Sequence, residues 1–204
     1  KTSHTGSVVV IAANTIRATV NVNFAVKALT ADTTVTVYKD GQAWNNPDNG
    51  ITSIELDDGA STYAGTWTNN VWKATGTLND GTYDVMVNNT KVGSMEVTYG
   101  QSKNFDLNYY TVTVKTAPTD GSGGTAWIGE ANAADKATTS VTVLSGGTAT
   151  ISAAEKPGYR FTGWTGTASL TGTTEDITNI TSGPNTYTAN FEVIGLQWQT
   201  NHNP

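Results

Sequence analysis

The side chains that do chemistry are few in this sequence, and they are poorly placed for it. Acyl transfer needs a nucleophile, a base and a group that orients the base. The only histidines, His4 and His202, lie near the chain ends, where chains tend to fray. Cysteine is absent, which removes disulfides, thiol catalysis and thiolate-bound metals. A carboxylate pair can hydrolyse a glycosidic bond, and Glu55, Asp57, Asp58, Glu175 and Asp176 are the most clustered acids. Asp57-Asp58-Gly59 is a turn signal, however, and neighbouring strand residues point to opposite faces. These acids read as solvated turn residues. Asn45-Asn46-Pro47-Asp48-Asn49-Gly50 is oxygen-rich like a calcium loop, but Pro47 and the missing distal Glu spoil the alternating ligand pattern. The expectation is a protein that is not an enzyme and carries no metal and no cofactor.

Aromatic residues are the better candidates for binding. In Thr66-Trp67-Thr68-Asn69-Asn70-Val71-Trp72, Asn69-Asn70 forms a two-residue hairpin loop, because Asn tolerates the positive φ required there. Trp67 then faces Trp72 across the hairpin. Exposed, the two indoles would stack on a sugar ring; covered, they are core, and so few apolar residues favour the core. Trp67, Trp72 and the loop residue Trp44 are the ligand-facing candidates. Trp164 reads as core, and Trp127 and Trp198 are open. Asn88-Asn89-Thr90 and Asn179-Ile180-Thr181 match the glycosylation sequon, but a chain this rich in Asn and Thr matches by chance, and neither is given a role.

The elements that must hold these residues are strands. The chain of 204 residues has 38 Thr, 21 Gly and 19 Asn, with 14% charged and 37% hydrophobic residues. Thr suits a pleated strand, while Gly and Asn suit tight turns. Period-two alternation marks strands at 7–13, 15–29, 33–39, 51–56, 62–68, 71–78, 82–88, 94–98, 104–116, 140–144, 148–153, 159–165 and 187–194. The one helix candidate is Glu130–Ala137, with four Ala. Net charge is −6, shared evenly between the two halves. No basic stripe exists, which excludes nucleic acid as a natural partner. No apolar stretch approaches the roughly 20 residues of a membrane helix, and Val8–Ala13 is too short and lacks the basic flank of a signal peptide. Low charge, abundant Thr and Asn, and no Cys fit an extracellular, cell-surface protein of a bacterium or archaeon.

An Asn followed by an aromatic recurs inside alternating strands at Asn23-Phe24, Asn108-Tyr109 and Asn190-Phe191, with a further copy at Asn104-Phe105. The main copies lie about eighty residues apart, a module length. Residues 1–31 are accordingly an N-terminal strand segment, 32–109 and 110–194 two modules, and 195–204 a tail.

Val35-Thr-Val-Tyr-Lys-Asp-Gly41 and Leu78-Asn-Asp-Gly-Thr-Tyr-Asp-Val-Met-Val87 make residues 33–109 resemble the transthyretin-like, collagen-adhesin B-type modules of Gram-positive surface proteins. The resemblance implies a small Greek-key sandwich, Ig-like in architecture. It also implies an isopeptide cross-link between a strand Lys and a late Asn, with Lys39 and Asn104 or Asn108 in those places. That chemistry needs a buried carboxylic acid to polarise the amide and shuttle the proton. Val87 stands at its position and Asp84 points to the opposite face, so no bond is expected. Thr148-Ala-Thr-Ile-Ser-Ala-Ala-Glu-Lys-Pro-Gly-Tyr-Arg-Phe-Thr-Gly-Trp164 and Tyr187-Thr-Ala-Asn-Phe191 make residues 110–194 resemble the internalin B-type repeat in its divergent form. This implies a β-rich, β-grasp-like spacer or adhesive unit without catalytic residues. Within it, Tyr159, Phe161 and Gly163 share a strand face, and Trp164 joins them only if a bulge at Gly163 re-aims it.

The expected fold is all-β, a sandwich followed by a β-grasp-like module, with at most one short helix. Strand 104–116 runs from one module into the next without a linker, which predicts a stiff rod. Three functions compete: a stalk or adhesin module, a filament subunit assembled by N-terminal donor-strand complementation, and a carbohydrate-binding module. Partners are then other copies or neighbouring surface modules, or a host glycan or protein. Strand donation would use Val8, Val10, Ile16, Val20, Val22 and Phe24, because a long unpaired β-branched segment is a liability unless something pairs with it. Folding back onto residues 33–109, or being the stump of an upstream module, are its other possible fates.

Overall fold

The computed structural model describes residues 3–11, 17–25 and 31–195. The chain is all-β, 59% strand, with no helix among the described residues. In chain order the strands are β1 (Ser3–Ile11), β2 (Arg17–Ala25), β3 (Thr33–Lys39), β4 (Gln42–Ala43), β5 (Ile54–Asp57), β6 (Thr62–Tyr63), β7 (Gly65–Thr68), β8 (Val71–Ala74) and β9 (Gly81–Val87). They continue with β10 (Thr90–Val97), β11 (Lys103–Ala117), β12 (Gly124–Ile128), β13 (Ser140–Leu144), β14 (Gly147–Glu155), β15 (Tyr159–Gly166), β16 (Thr174–Ile180) and β17 (Asn185–Val193). The chain divides into two compact units.

Unit 1 comprises Lys1–Thr34, Ser53–Thr66 and Lys73–Asn104. Its main sheet has the order β10-β9-β5-β6 and is antiparallel throughout. Alternation builds its core. Tyr83, Val85 and Val87 of β9 are buried while Asp84 and Met86 are half-covered. Ile54 and Leu56 of β5 sit opposite Val87 and Val85, and Met95 and Val97 of β10 complete the buried row. Each such side chain contributes about 1.5–3 kcal/mol on burial. The β9–β10 hairpin closes through Asn88 and Asn89, at φ 47° and 64°, a two-residue turn whose twist matches that of the strands. At the N-terminus, β1 and β2 pair with each other, Ser3 opposite Ala25 through to Ile11 opposite Arg17. Val8, Val10, Val20, Val22 and Phe24 all fall within this ribbon; Ile16 lies outside the described residues.

Unit 2 comprises Val35–Thr52, Trp67–Trp72 and Phe105–Pro204. Within it β17 lies between β15 and β11, β13 also pairs with β11 and β4 with β3, and a smaller sheet is β12-β14-β16. The last strand, β17, lies parallel to β11, Val112 opposite Asn185 through to Ala117 opposite Asn190, and antiparallel to β15. The core gathers Val112, Val114, Ile151, Ala153, Trp164, Tyr187 and Phe191. The condition set on Trp164 is met. The β15–β17 register shifts between Phe161 and Gly163, Gly163 has φ 128°, and Trp164 turns inward to 1% exposure. Its ring meets Phe161 edge-on at 5.8 Å, and its indole N–H donates to the Gly172 carbonyl at 2.9 Å.

The helix expected over Glu130–Ala137 is absent; that stretch is an irregular loop. So short a helix is marginal in water, and polar groups capture its ends. Asp135 accepts hydrogen bonds from the Ala137 N–H at 2.8 Å and the Thr138 hydroxyl at 3.1 Å. The Glu130 carbonyl accepts one from the Trp127 indole at 2.9 Å.

Candidate functional site

Four of the five clustered acids, Asp57, Asp58, Glu175 and Asp176, accept hydrogen bonds from the groups around them. In the turn after β5, Asp57 accepts the Gly59 N–H at 2.7 Å. Asp58 accepts the N–H groups of Ala60 and Ser61 at 2.9 and 2.7 Å, and the Tyr63 hydroxyl at 3.0 Å. Those N–H donors hold the Asp58 carboxyl below its ordinary value, and the same anion pushes the Tyr63 phenol up. In unit 2, Glu175 accepts the Gly172 N–H at 2.6 Å and Asp176 the Thr150 hydroxyl at 2.6 Å. These carboxylates stabilise turns and strand edges. Loop 45–50 is likewise closed on itself. Buried Asn49 accepts from the Ile51 N–H at 2.9 Å and the Asn46 amide at 3.3 Å, and donates to the Trp44 carbonyl at 3.1 Å.

The cross-linking candidates are engaged elsewhere. The Lys39 ammonium stands 5.1 Å from the centre of the Trp44 ring, while Asn104 accepts the Thr34 hydroxyl at 2.7 Å. Asn108 donates to the Asp106 carbonyl at 3.4 Å. Val87 is buried, and Asp84 takes the Lys91 ammonium and the Ser94 hydroxyl, both at 2.8 Å.

Of the candidate aromatics, Trp72 is 2% exposed and has no face to offer a ligand. Trp67 and Trp44 are half-buried. Trp44 meets Tyr109 edge-on at 5.3 Å, and burial pushes the Tyr109 phenol up. Trp127 is buried beneath the Lys136 ammonium, 4.6 Å from its ring centre. Trp198 lies outside the described residues.

Unit 1 also holds a cleft of about 320 Å³ that the sequence did not point to. Leu78 and Val97, both buried, form its apolar lining. Asp32 and Lys73, paired at 2.6 Å and each about half exposed, form one wall. Tyr99, at 56% exposure, stands on the rim beside Gln101. The turn that presents Tyr99 is fixed at its backbone. The Tyr99 N–H donates to Asp80, the Gln101 N–H donates to the Thr98 carbonyl at 3.0 Å, and Gly100 sits at φ 77°. Asp32 is held in turn by its N–H on the Ser102 hydroxyl at 3.2 Å, and by its carbonyl accepting the Lys103 N–H at 2.9 Å. Nothing in the local sequence marks the cleft, because the wall comes from two residues 41 positions apart, Asp32 and Lys73.

Among known proteins, residues 136–195 match the family described as the divergent InlB B-repeat domain, which is found in bacterial surface proteins. No curated protein matches the chain. A solved structure, the Bacillus anthracis TIE protein, aligns over 94% of this chain and 42% of its own at 9% identity, with a TM-score of 0.30. The chain thus spans less than half the length of that protein.

Proposed function

We propose that the chain is a structural and adhesive segment of a bacterial cell-surface protein, exposed outside the cell and without catalytic activity. The observation that carries this reading is the match of residues 136–195 to the divergent InlB B-repeat. The commitment of the acids to turns supports the non-enzymatic part. Antibodies raised against the folded chain are expected to label intact cells of the source organism. Labelling only after lysis would sink the proposal. Beads coated with the chain then separate the roles: retention on a host-cell or matrix surface marks an adhesin, and its absence a spacer.

A filament built by strand donation is the competing reading. Its support is the run of β-branched residues at Val8, Val10, Val20 and Val22 in β1 and β2, which pair with each other among the described residues and are of the kind that adds to a sheet. Sedimentation of the full chain at high concentration decides it. A monodisperse monomer removes the filament, and length-polydisperse polymers favour it.

A further inference from the structure

We propose that the cleft of unit 1 binds the ring of a neutral saccharide, stacked on Tyr99 and hydrogen-bonded to the Asp32–Lys73 pair. Three features converge on that ligand class. A pyranose has an apolar C–H face, and Tyr99 offers an exposed aromatic ring on a turn fixed through its backbone. Sugar hydroxyls donate and accept at once. A carboxylate beside an ammonium, here 2.6 Å apart, matches two adjacent hydroxyls, one donating to Asp32 and one accepting from Lys73. The lining of Leu78 and Val97 takes the remaining C–H surface. Volume limits the ligand to a small one, since about 320 Å³ is at the low end of ligand pockets.

Charge excludes the obvious rivals. A phosphate or carboxylate approaching Lys73 meets the Asp32 anion, and a cation approaching Asp32 meets the Lys73 ammonium. The wall is polar and neutral, which is the character of a sugar's hydroxyl edge. Of the aromatics, Trp72 is enclosed, in keeping with the core reading favoured for the Trp67–Trp72 pair, whereas Tyr99 is open.

The inference deepens the adhesive part of the proposed function and rests on it, but its test does not. The full chain is titrated with glucose, galactose, mannose, N-acetylglucosamine and their β-linked disaccharides. Saturation-transfer NMR and calorimetry report binding, and amide shifts locate it. At least one of these sugars is expected to bind with a Kd on the order of 1 mM and to move the amides of Ala74, Thr77 and Gln101. Tyr99→Ala, at an exposed position, is expected to fold as the parent does and to bind roughly five- to tenfold more weakly. Asp32→Asn and Lys73→Gln are expected to weaken binding as well, while Trp67→Ala leaves it unchanged. No binding across the panel overturns the proposal. So does parental affinity in a folded Tyr99→Ala variant, or loss of binding on Trp67→Ala. Failure here removes the sugar site alone; the surface location stands or falls on the antibody labelling.

Discussion

The β5–β9–β10 sheet of unit 1 and the β12–β17 region of unit 2 are made from the same Thr-, Gly- and Asn-rich composition, yet they are held together differently. In the first, strand alternation alone produces the core, and a glycine such as Gly59 (φ 85°) sits in a turn with nothing near the place where a Cβ would stand. In the second, glycine is part of the packing. A Cβ on Gly124 would lie 2.4 Å from the Phe191 ring and 2.5 Å from the Ala154 carbonyl oxygen. A chain poor in large apolar side chains reaches close packing here by letting a few aromatics rest against bare backbone. The first region depends on pattern, the second on particular contacts.

That contrast is open to breakage. The largest effect is expected from Trp164→Ala, at about 3–5 kcal/mol, because it removes a buried ring and strands the Gly172 carbonyl. Hydrogen exchange should show protection lost across β14–β17; undiminished protection there would mean the aromatic is not central. Next, Gly124→Ala is expected to cost about 1–3 kcal/mol or more through overpacking. Gly59→Ala should cost only about 1 kcal/mol, from backbone strain. Equal costs in denaturant unfolding would erase the distinction between the two regions.

A smaller effect of opposite sign belongs to the unit 1 hairpin. Asn89→Gly relieves the positive φ of 64° and should stabilise by a few tenths of a kcal/mol, since Asn-Gly is the preferred sequence for such a turn. A measurable loss would mean that the Asn89 side chain matters more than the backbone there. Smallest is the acid response of the β5–β6 turn. The Asp58 carboxyl lies below its ordinary value when folded, so its contribution is present above the unfolded value and is lost as pH falls through the folded one. Tyr63→Phe removes one of the bonds to the anion and should bring the Asp58 titration back toward ordinary, as followed by carboxyl NMR. An unmoved titration would leave the backbone N–H donors alone responsible.

Strands were legible wherever alternation was clean. β3 and β13 have the expected limits, and β9, β11, β14 and β15 differ by one to three residues. The missed strands show why others were not. β12 opens at Gly124 inside a glycine run with no alternation to mark it, and its strand character comes from antiparallel pairing with β14, Gly124 opposite Glu155 through to Ile128 opposite Ile151. β16, Thr174–Ile180, has no clear apolar period, and its acids are satisfied by partners such as Thr150 that only the folded sheet supplies. The helix failed because composition argued for it while side-chain acceptors argued against. Unit 1's cleft was invisible for a different reason. Asp32, Lys73 and Tyr99 are unremarkable one by one, and pairing over forty residues of chain makes them a wall and a rim.

The parallel pairing of β17 with β11 has a mechanical consequence. Two strands side by side and pointing the same way have their opposite termini at opposite ends of the ladder. A tension applied between Phe105, near the start of β11, and Val193, the last residue of β17, runs along both strands. It loads the rungs from Val112–Asn185 to Ala117–Asn190 in shear, so that they resist together instead of peeling one by one. Pulled in this direction, the unit yields by sliding, and its lifetime under load is set by the barrier to unfolding more than by the equilibrium stability.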